Sequence, residues 1–467
     1  MQQWLSDNLG RLIEKHGVPA AAIAVLAEGQ VSEAAAGILN LNTGVEATTD
    51  SVFQVGSITK LWTTTLAMQL VQEGKLDLDK PVSDYLPEFA LSDARAAAVI
   101  TPRHLLTHTS GFAGDAFMAT SRGDDAVARF VVEVLPTLDQ EVEPGAGFSY
   151  NNSGFVVLGR IVEVLRDGKP FHELVKEHIG TPLGLKHLAT IPDEALLHRA
   201  ALGHISLKEG EPMEAAPVWS LVHAMGPAGS MLAMSARDLI AFGQAYLDNT
   251  LLDETSRDQL WEPQVEVPAI GAFAQHWGLG WMIFDVNAAR VGRDSVERGA
   301  DGSVRIYGHD GGTIGQSAYF RLVPEERVAV ALLTNGGDAP ALYDELVGHV
   351  LRETAGVELP ARPVPPAEAL PVPTDLVLGR FEGVMESIEI TLDEDGDVWV
   401  EGKPRTEQAK ALMPESDRKK VVALDGIRLI SVEPERGVHE VLAFLRPGDD
   451  GRARYLFGGG RLIPRRD

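Results

Sequence analysis

Gly56-Ser57-Ile58-Thr59-Lys60 is the stretch from which the rest of the chain is read. After it, Leu61, Leu66, Met68, Leu70 and Val71 predict a helix over 58–73, with Gly74 as its stop. Ser57 then stands where the coil 53–56 enters that helix, so the helix dipole and its own backbone N–H favour negative charge beside it. Lys60, three residues on, shares the helix face of the serine. A serine is a poor nucleophile until a base within hydrogen-bond reach takes its proton, and a desolvated lysine can share that task. Taken alone, S-x-x-K leaves two positions free, and an N-cap serine followed by a surface lysine has the same form.

Two distant segments add to it. Ser149-Tyr150-Asn151-Asn152-Ser153-Gly154 follows the turn Glu143-Pro144-Gly145. Tyr150 and Asn152, two apart, project the same way from an extended loop. A polarised tyrosine can relay the serine proton, and Asn152 can hold Lys60 or a substrate carbonyl; a core tyrosine beside an asparagine turn fits the same residues. Gly308-His309-Asp310-Gly311-Gly312-Thr313-Ile314-Gly315 allows a strand edge to lie close against a substrate and to offer a backbone oxyanion donor. An ordinary glycine-rich hairpin is the alternative; the spacing excludes a nucleotide-binding loop.

In order and at wide separation, these three segments resemble the serine β-lactamase and penicillin-binding-protein superfamily, which uses S-x-x-K, Y-x-N and K-T-G. Supporting likenesses are 74–82, His104-Leu105-Leu106-Thr107-His108-Thr109-Ser110-Gly111, and Pro227-Ala228-Gly229-Ser230-Met231 with Ser235-Ala236-Arg237-Asp238-Leu239. The resemblance implies Ser57 as nucleophile, Lys60 and Tyr150 as coupled base and acid, Asn152 as orienting residue, and an oxyanion hole from the Ser57 and Gly312 N–H groups. His309 is expected near Tyr150 on the strand edge, with Gly311 against the substrate. The third element departs from the pattern: His309-Asp310-Gly311 stands where the family has Lys-Thr-Gly. The H-x-G form is similar to esterases, D-amino-acid peptidases and peptide cyclases of the superfamily, and losing the permanent cation weakens the grip on a β-lactam carboxylate.

The fold class implied is α+β: a β-lactamase/transpeptidase-like domain, an antiparallel sheet flanked by helices plus an all-helical region, over 1–358. Hairpin strands at 20–26 and 31–36, a strand at 328–334 and a helix at 342–354 are its outer elements. Thr101-Pro102 opens a short helix and Ser235 caps 236–247. Six prolines in 359–375 predict a stiff, extended linker. Over 376–467, short strands at 388–392, 398–401, 421–424, 427–432, 438–445 and 454–457 alternate with Asp-Gly turns, a small lipocalin-like antiparallel β domain. Its Gly458-Gly459-Gly460-Arg461 offers a guanidinium that helps seat a peptide or its carboxylate beside the cleft; an exposed strand-end arginine is the alternative.

Composition narrows the partners. With 41 basic and 67 acidic side chains the formal charge is -26, a field that repels nucleic acid and anionic membrane. There are no cysteines, hence no disulfide, thiolate metal site or cysteine nucleophile. No metal or cofactor is expected. His104 and His108, four apart, read as packing and capping residues of one helix. The acidic run 393–397 lacks a downstream bidentate glutamate and reads as a hairpin tip. His223 and Trp219 are equally cleft or core candidates. The first eighteen residues read as an amphipathic helix, not a signal peptide or membrane span, so a cytoplasmic location is expected.

Three functions fit: a thioesterase or peptide cyclase that takes a nonribosomal peptide from a peptidyl thioester or a carrier-protein-bound peptide; a hydrolase of esters, amides or D-residue peptides, with weak β-lactamase activity; and a sensor that acylates and stops. The segments 311–318 and 332–338 and the C-terminal β domain resemble penicillin-binding-protein-type thioesterases, which favours the first.

Overall fold

The computed structural model describes residues 1–206, 212–271, 273–287, 303–368, 370–406, 410, 418–435 and 437–467. The helix Gln2–Lys15 buries Leu5, Leu9, Leu12 and Ile13, one apolar stripe at helical spacing. The strands Ala20–Ala27 and Gln30–Asn40 follow, joined through Glu28 and Gly29 at φ 53° and 73°. Two successive left-handed residues match such a tight turn to the strand twist, and glycine adopts the second without steric cost.

Ala20–Ala27 also pairs antiparallel with Val328–Thr334, Ile23 opposite Leu332, so distant segments close one sheet. Among the described residues this sheet has nine strands. Ala20, Ala22, Ala24 and Leu26 face the core that contains the helices Thr59–Gln72 and Asn152–Leu165. Ala21, Ile23 and Val25 face the core of Gln2–Lys15 and Ala339–Ala355. Layers on both faces explain why the strand reads as an unbroken apolar run. The α+β class is the observed one.

Ser235 caps Ala236–Leu247 and Thr101 caps Pro102–Leu106, where the sequence places both. The helix Ala339–Ala355 starts ahead of the predicted 342: Asp338 accepts from the Ala341 N–H at 3.0 Å, and Pro340 fits its first turn. The proline-rich segment is not extended to its end. Arg362 pairs with Asp344, Leu370 bridges to Ala423, and the chain turns helical at Thr374–Val377, immediately after the last proline. Ala369 lies outside the described residues.

Among the described residues the C-terminal strands form an eight-stranded antiparallel sheet in which each strand pairs with the next. Its outer strands, Gly379–Glu382 and Arg461–Pro464, meet through a Phe381–Arg465 bridge and the Arg466 N–H to Arg380 carbonyl bond. The result is a nearly closed barrel around Phe381, Leu429, Phe444 and Leu456. These two outer strands are absent from the sequence reading, because four residues with charged members carry little periodicity. The run 393–397 is a hairpin tip, with Asp393 accepting from the Asp395 and Asp397 N–H groups and the Trp399 indole. No helix among the described residues is long and apolar enough to cross a membrane.

Candidate active site

A cavity of about 480 Å³ opens between the first sheet, the helical region and the barrel, and Ser57, Tyr150, Asn152, His309, Gly312 and Arg461 all line it. The structure therefore gathers every predicted site residue at one place, with Lys60 and Gly311 completing the group. Ser57 lies in the 3-10 turn Gly56–Ile58, which runs into the helix Thr59–Gln72. Gly56 takes φ +52°, and a Cβ on it would sit 2.6 Å from the Gly312 nitrogen. A Cβ on Gly311 would meet the Val55 carbonyl oxygen at 1.9 Å and the Ser57 nitrogen at 3.2 Å. Glycine at these positions lets the strand Ser303–Gly312 lie directly against the serine turn.

Lys60 is fully buried. Its Nζ lies 3.1 Å from Ser57 Oγ and donates to Asn152 Oδ1 and the Ala228 carbonyl, each at 2.7 Å. Burial, reinforced by the nearby Arg461 charge, holds the amine well below its usual range, and Asp115 partly offsets this. A neutral amine has two N–H donors and one lone pair. The two carbonyl oxygens take the donors, which leaves the lone pair for the Ser57 proton.

Tyr150 is buried with its hydroxyl hydrogen-bonded to Ser57, and burial pushes the phenol well up. Its ring lies 4.8 Å below the Lys60 nitrogen. A low lysine and a high tyrosine favour the neutral pair over ammonium and phenolate. The tyrosine is not on an extended loop with Asn152, as the spacing suggested. Asn151 ends the strand-like segment as N-cap, accepting from the Gly154 N–H at 2.7 Å, and Asn152 is the first residue of the helix Asn152–Leu165. Both side chains still reach the cleft. The Asn152 amide is committed at both ends, since its Nδ2 donates to Asp115 Oδ1 at 2.7 Å.

His309 is buried, its Nδ1 donates to the Asp310 carbonyl at 2.6 Å, and its Nε2 has no partner among the described residues. Burial and the Lys60 charge lower it to about 3, so it is a neutral imidazole at ordinary pH and does not replace a lysine's charge. The strand Met282–Asn287 begins opposite Gly308, which leaves His309 to Gly312 as a local edge beside the cleft. Behind it, Arg321 pairs with Asp310 at 2.6 Å and bonds the Tyr343 hydroxyl at 2.9 Å.

Among the described residues lining the cleft, the permanent cation comes from the barrel. Arg461 lies 4.9 Å over the Tyr150 ring. It donates to Asp115 through Nε at 3.0 Å and Nη2 at 3.2 Å, and to the Gly459 carbonyl through Nη1 at 2.6 Å. The Tyr150 N–H to Gly460 carbonyl and Leu462 N–H to Ser149 Oγ bonds stitch the barrel to the tyrosine loop.

Other sequence readings fare differently. His104 does cap its helix, accepting from the Thr101 N–H. His108 lies beyond that helix in a left-handed conformation, φ 54°, so the two histidines share no helix face. His108 instead accepts the Asn151 N–H at 2.9 Å and packs its ring 4.2 Å from that of Tyr150. Trp219 donates to the Ala201 carbonyl, and His223 lines a separate, smaller cavity, so neither borders Ser57. Asp115 and the apolar wall of Phe117, Met225, Phe273 and Tyr319 were missed. Asp115 stands four residues past the quoted Thr109-Ser110-Gly111 segment and belongs to no motif.

Fold and site together define a serine acyl-transfer protein of the β-lactamase and penicillin-binding-protein superfamily. The chain belongs to the Beta-lactamase family, whose profile matches residues 5–351. It is 40% identical over 385 residues to "Penicillin-binding protein 4" of Amycolatopsis lactamdurans, covering 80% of this chain and 96% of that one. Among solved structures it is similar to SurE, at 26% identity and a TM-score of 0.76 over 100% of this chain and 99% of the other. SurE with D-Leu matches at 25% identity and a TM-score of 0.72 over the same shares.

Proposed function

We propose that this chain forms an acyl ester on Ser57 and that its task is to release a peptide from a thioester by closing it on its own amine. The observation that carries the reading is that Arg461, from the barrel, lines the same cavity as Ser57. A cleft built by two domains, with an apolar wall and a guanidinium where His309 supplies no charge, suits an extended peptidyl group better than a compact lactam. The full-length likeness to SurE, solved with D-Leu, supports a D-residue at the acyl position.

Ser57 Oγ attacks the thioester carbon while its proton passes to Lys60. The Ser57 and Gly312 N–H groups receive the oxyanion. Collapse breaks the C–S bond, and the departing sulfur takes the proton from the Lys60–Tyr150 pair. The peptide's amine then attacks the ester, gives its proton to the same pair, and Ser57 leaves with a proton restored. Coupled groups share these transfers, so base and acid are assigned to the pair. Water in place of the amine yields the linear acid, the hydrolase reading.

Peptidyl thioesters ending in D- or L-residues test this by product mass. Loss of the thiol without gain of water means ring closure. Linear acid from every substrate means hydrolysis, and an acyl-Ser57 adduct that accumulates with no released product means a sensor.

A further inference from the structure

We infer that Asp115 is a positioning residue of this site, fixing the Asn152 amide and the barrel's Arg461 in one hydrogen-bonded chain that ends on Lys60 and Ser57. The inference rests on the assignment of Ser57 and Lys60 just given. Each link is a contact at hydrogen-bond distance. Arg461 donates to Asp115 at 3.0 and 3.2 Å, Asn152 Nδ2 donates to Asp115 at 2.7 Å, Lys60 donates to Asn152 Oδ1 at 2.7 Å, and Ser57 Oγ is 3.1 Å from Lys60.

The chemistry of the links gives them direction. A primary amide can present either its oxygen or its nitrogen to a neighbour, and a half-turn about its terminal bond exchanges them. A carboxylate only accepts. Asp115 therefore demands the N–H side of Asn152, which turns the oxygen toward Lys60. With that oxygen in place, Lys60 spends its donors on Asn152 and Ala228 and keeps its lone pair for the serine. Without Asp115 the amide is free to turn its N–H groups toward Lys60, where they compete for that lone pair. Asp115 also holds the guanidinium at its position over Tyr150, so the pose of the barrel and the geometry of the base are coupled through one carboxylate. An incoming substrate group that engages Arg461 must share it with Asp115.

Asp115 and Arg461 act on Lys60 with opposite sign, the carboxylate raising its affinity for a proton and the guanidinium lowering it. The other titratable groups facing Lys60 are Tyr150, His108 and His309, all held neutral by burial.

The test uses the full chain and a thioester substrate that acylates the wild type, with pH profiles of kcat and kcat/KM. Asp115→Ala is expected to lower kcat about 10–100-fold, the loss of one charge-assisted bond. Asp115→Asn keeps an acceptor oxygen and recovers most of that turnover, while its acidic limb moves to lower pH. Arg461→Gln moves the limb to higher pH. Thermal melts identify any variant that fails to fold, and the Arg461→Gln limb still reads the coupling in that event. Wild-type turnover in Asp115→Ala, or limbs that stay in place in both charge variants, overturns the inference. If the wild type itself forms no acyl-Ser57, the underlying assignment fails instead, which separates the two results.

Discussion

Ser57 Oγ stands 3.1 Å from Lys60 Nζ, and the same nitrogen reaches two carbonyl oxygens at 2.7 Å. The contact places a buried amine, not a surface ammonium, behind the hydroxyl. Lys60→Met is expected to lower kcat by about 10²–10⁴-fold, the usual worth of a general base. Its stability relative to wild type also depends on pH. The Lys60 value is depressed in the folded chain against 10.5 when unfolded, so the wild type bears the full penalty at low pH. That penalty fades as pH rises from the folded value through 10.5. The melting-temperature difference, variant minus wild type, therefore shrinks between pH 7 and 10.

Gly311 and Gly312 separate steric from electronic demands on the third motif. A Cβ at Gly311 collides with the Val55 carbonyl at 1.9 Å, whereas one at Gly312 meets nothing within 4 Å. Gly311→Ala is expected to push the strand off the serine turn and abolish acylation. Gly312→Ala keeps its backbone N–H and should retain activity within about tenfold, since an oxyanion donor itself is worth roughly 10²–10³. Single-turnover acylation rates of the two variants check the contrast.

Glu141 faces the barrel segment Gly383–Val384 across the cavity between the domains, and burial, reinforced by Asp115, raises it to about 7. An acid raised above its unfolded value of 4.5 contributes stability below 4.5 and loses it as pH rises through 7. Glu141→Gln should melt above the wild type at pH 8 and level with it near pH 4.5. Calorimetry at the two pH values decides.

What was legible in the sequence was local. Ser57, Lys60, Tyr150 and His309 each sit in a short motif whose residue types carry their own chemistry. The caps Thr101 and Ser235 announce their helices in the same way. Arg461 drew notice through the three glycines before it, but its seat over Tyr150 depends on the docking of the barrel. Asp115 had no signal, because its importance arises from Asn152 and Arg461, partners 37 and 346 residues away. His108 was misplaced on a helix because its left-handed turn is imposed by packing against Tyr150 and the Asn151 N–H, contacts that exist only in the folded chain.

The most direct test of the account is whether Ser57 carries the acyl group. Intact-protein mass spectrometry after mixing with a peptidyl thioester, followed by peptide mapping, should find one acyl adduct on the fragment that contains Ser57. Ser57→Ala should fold as the wild type does and carry none. An adduct on another residue, or sustained turnover by Ser57→Ala, contradicts it.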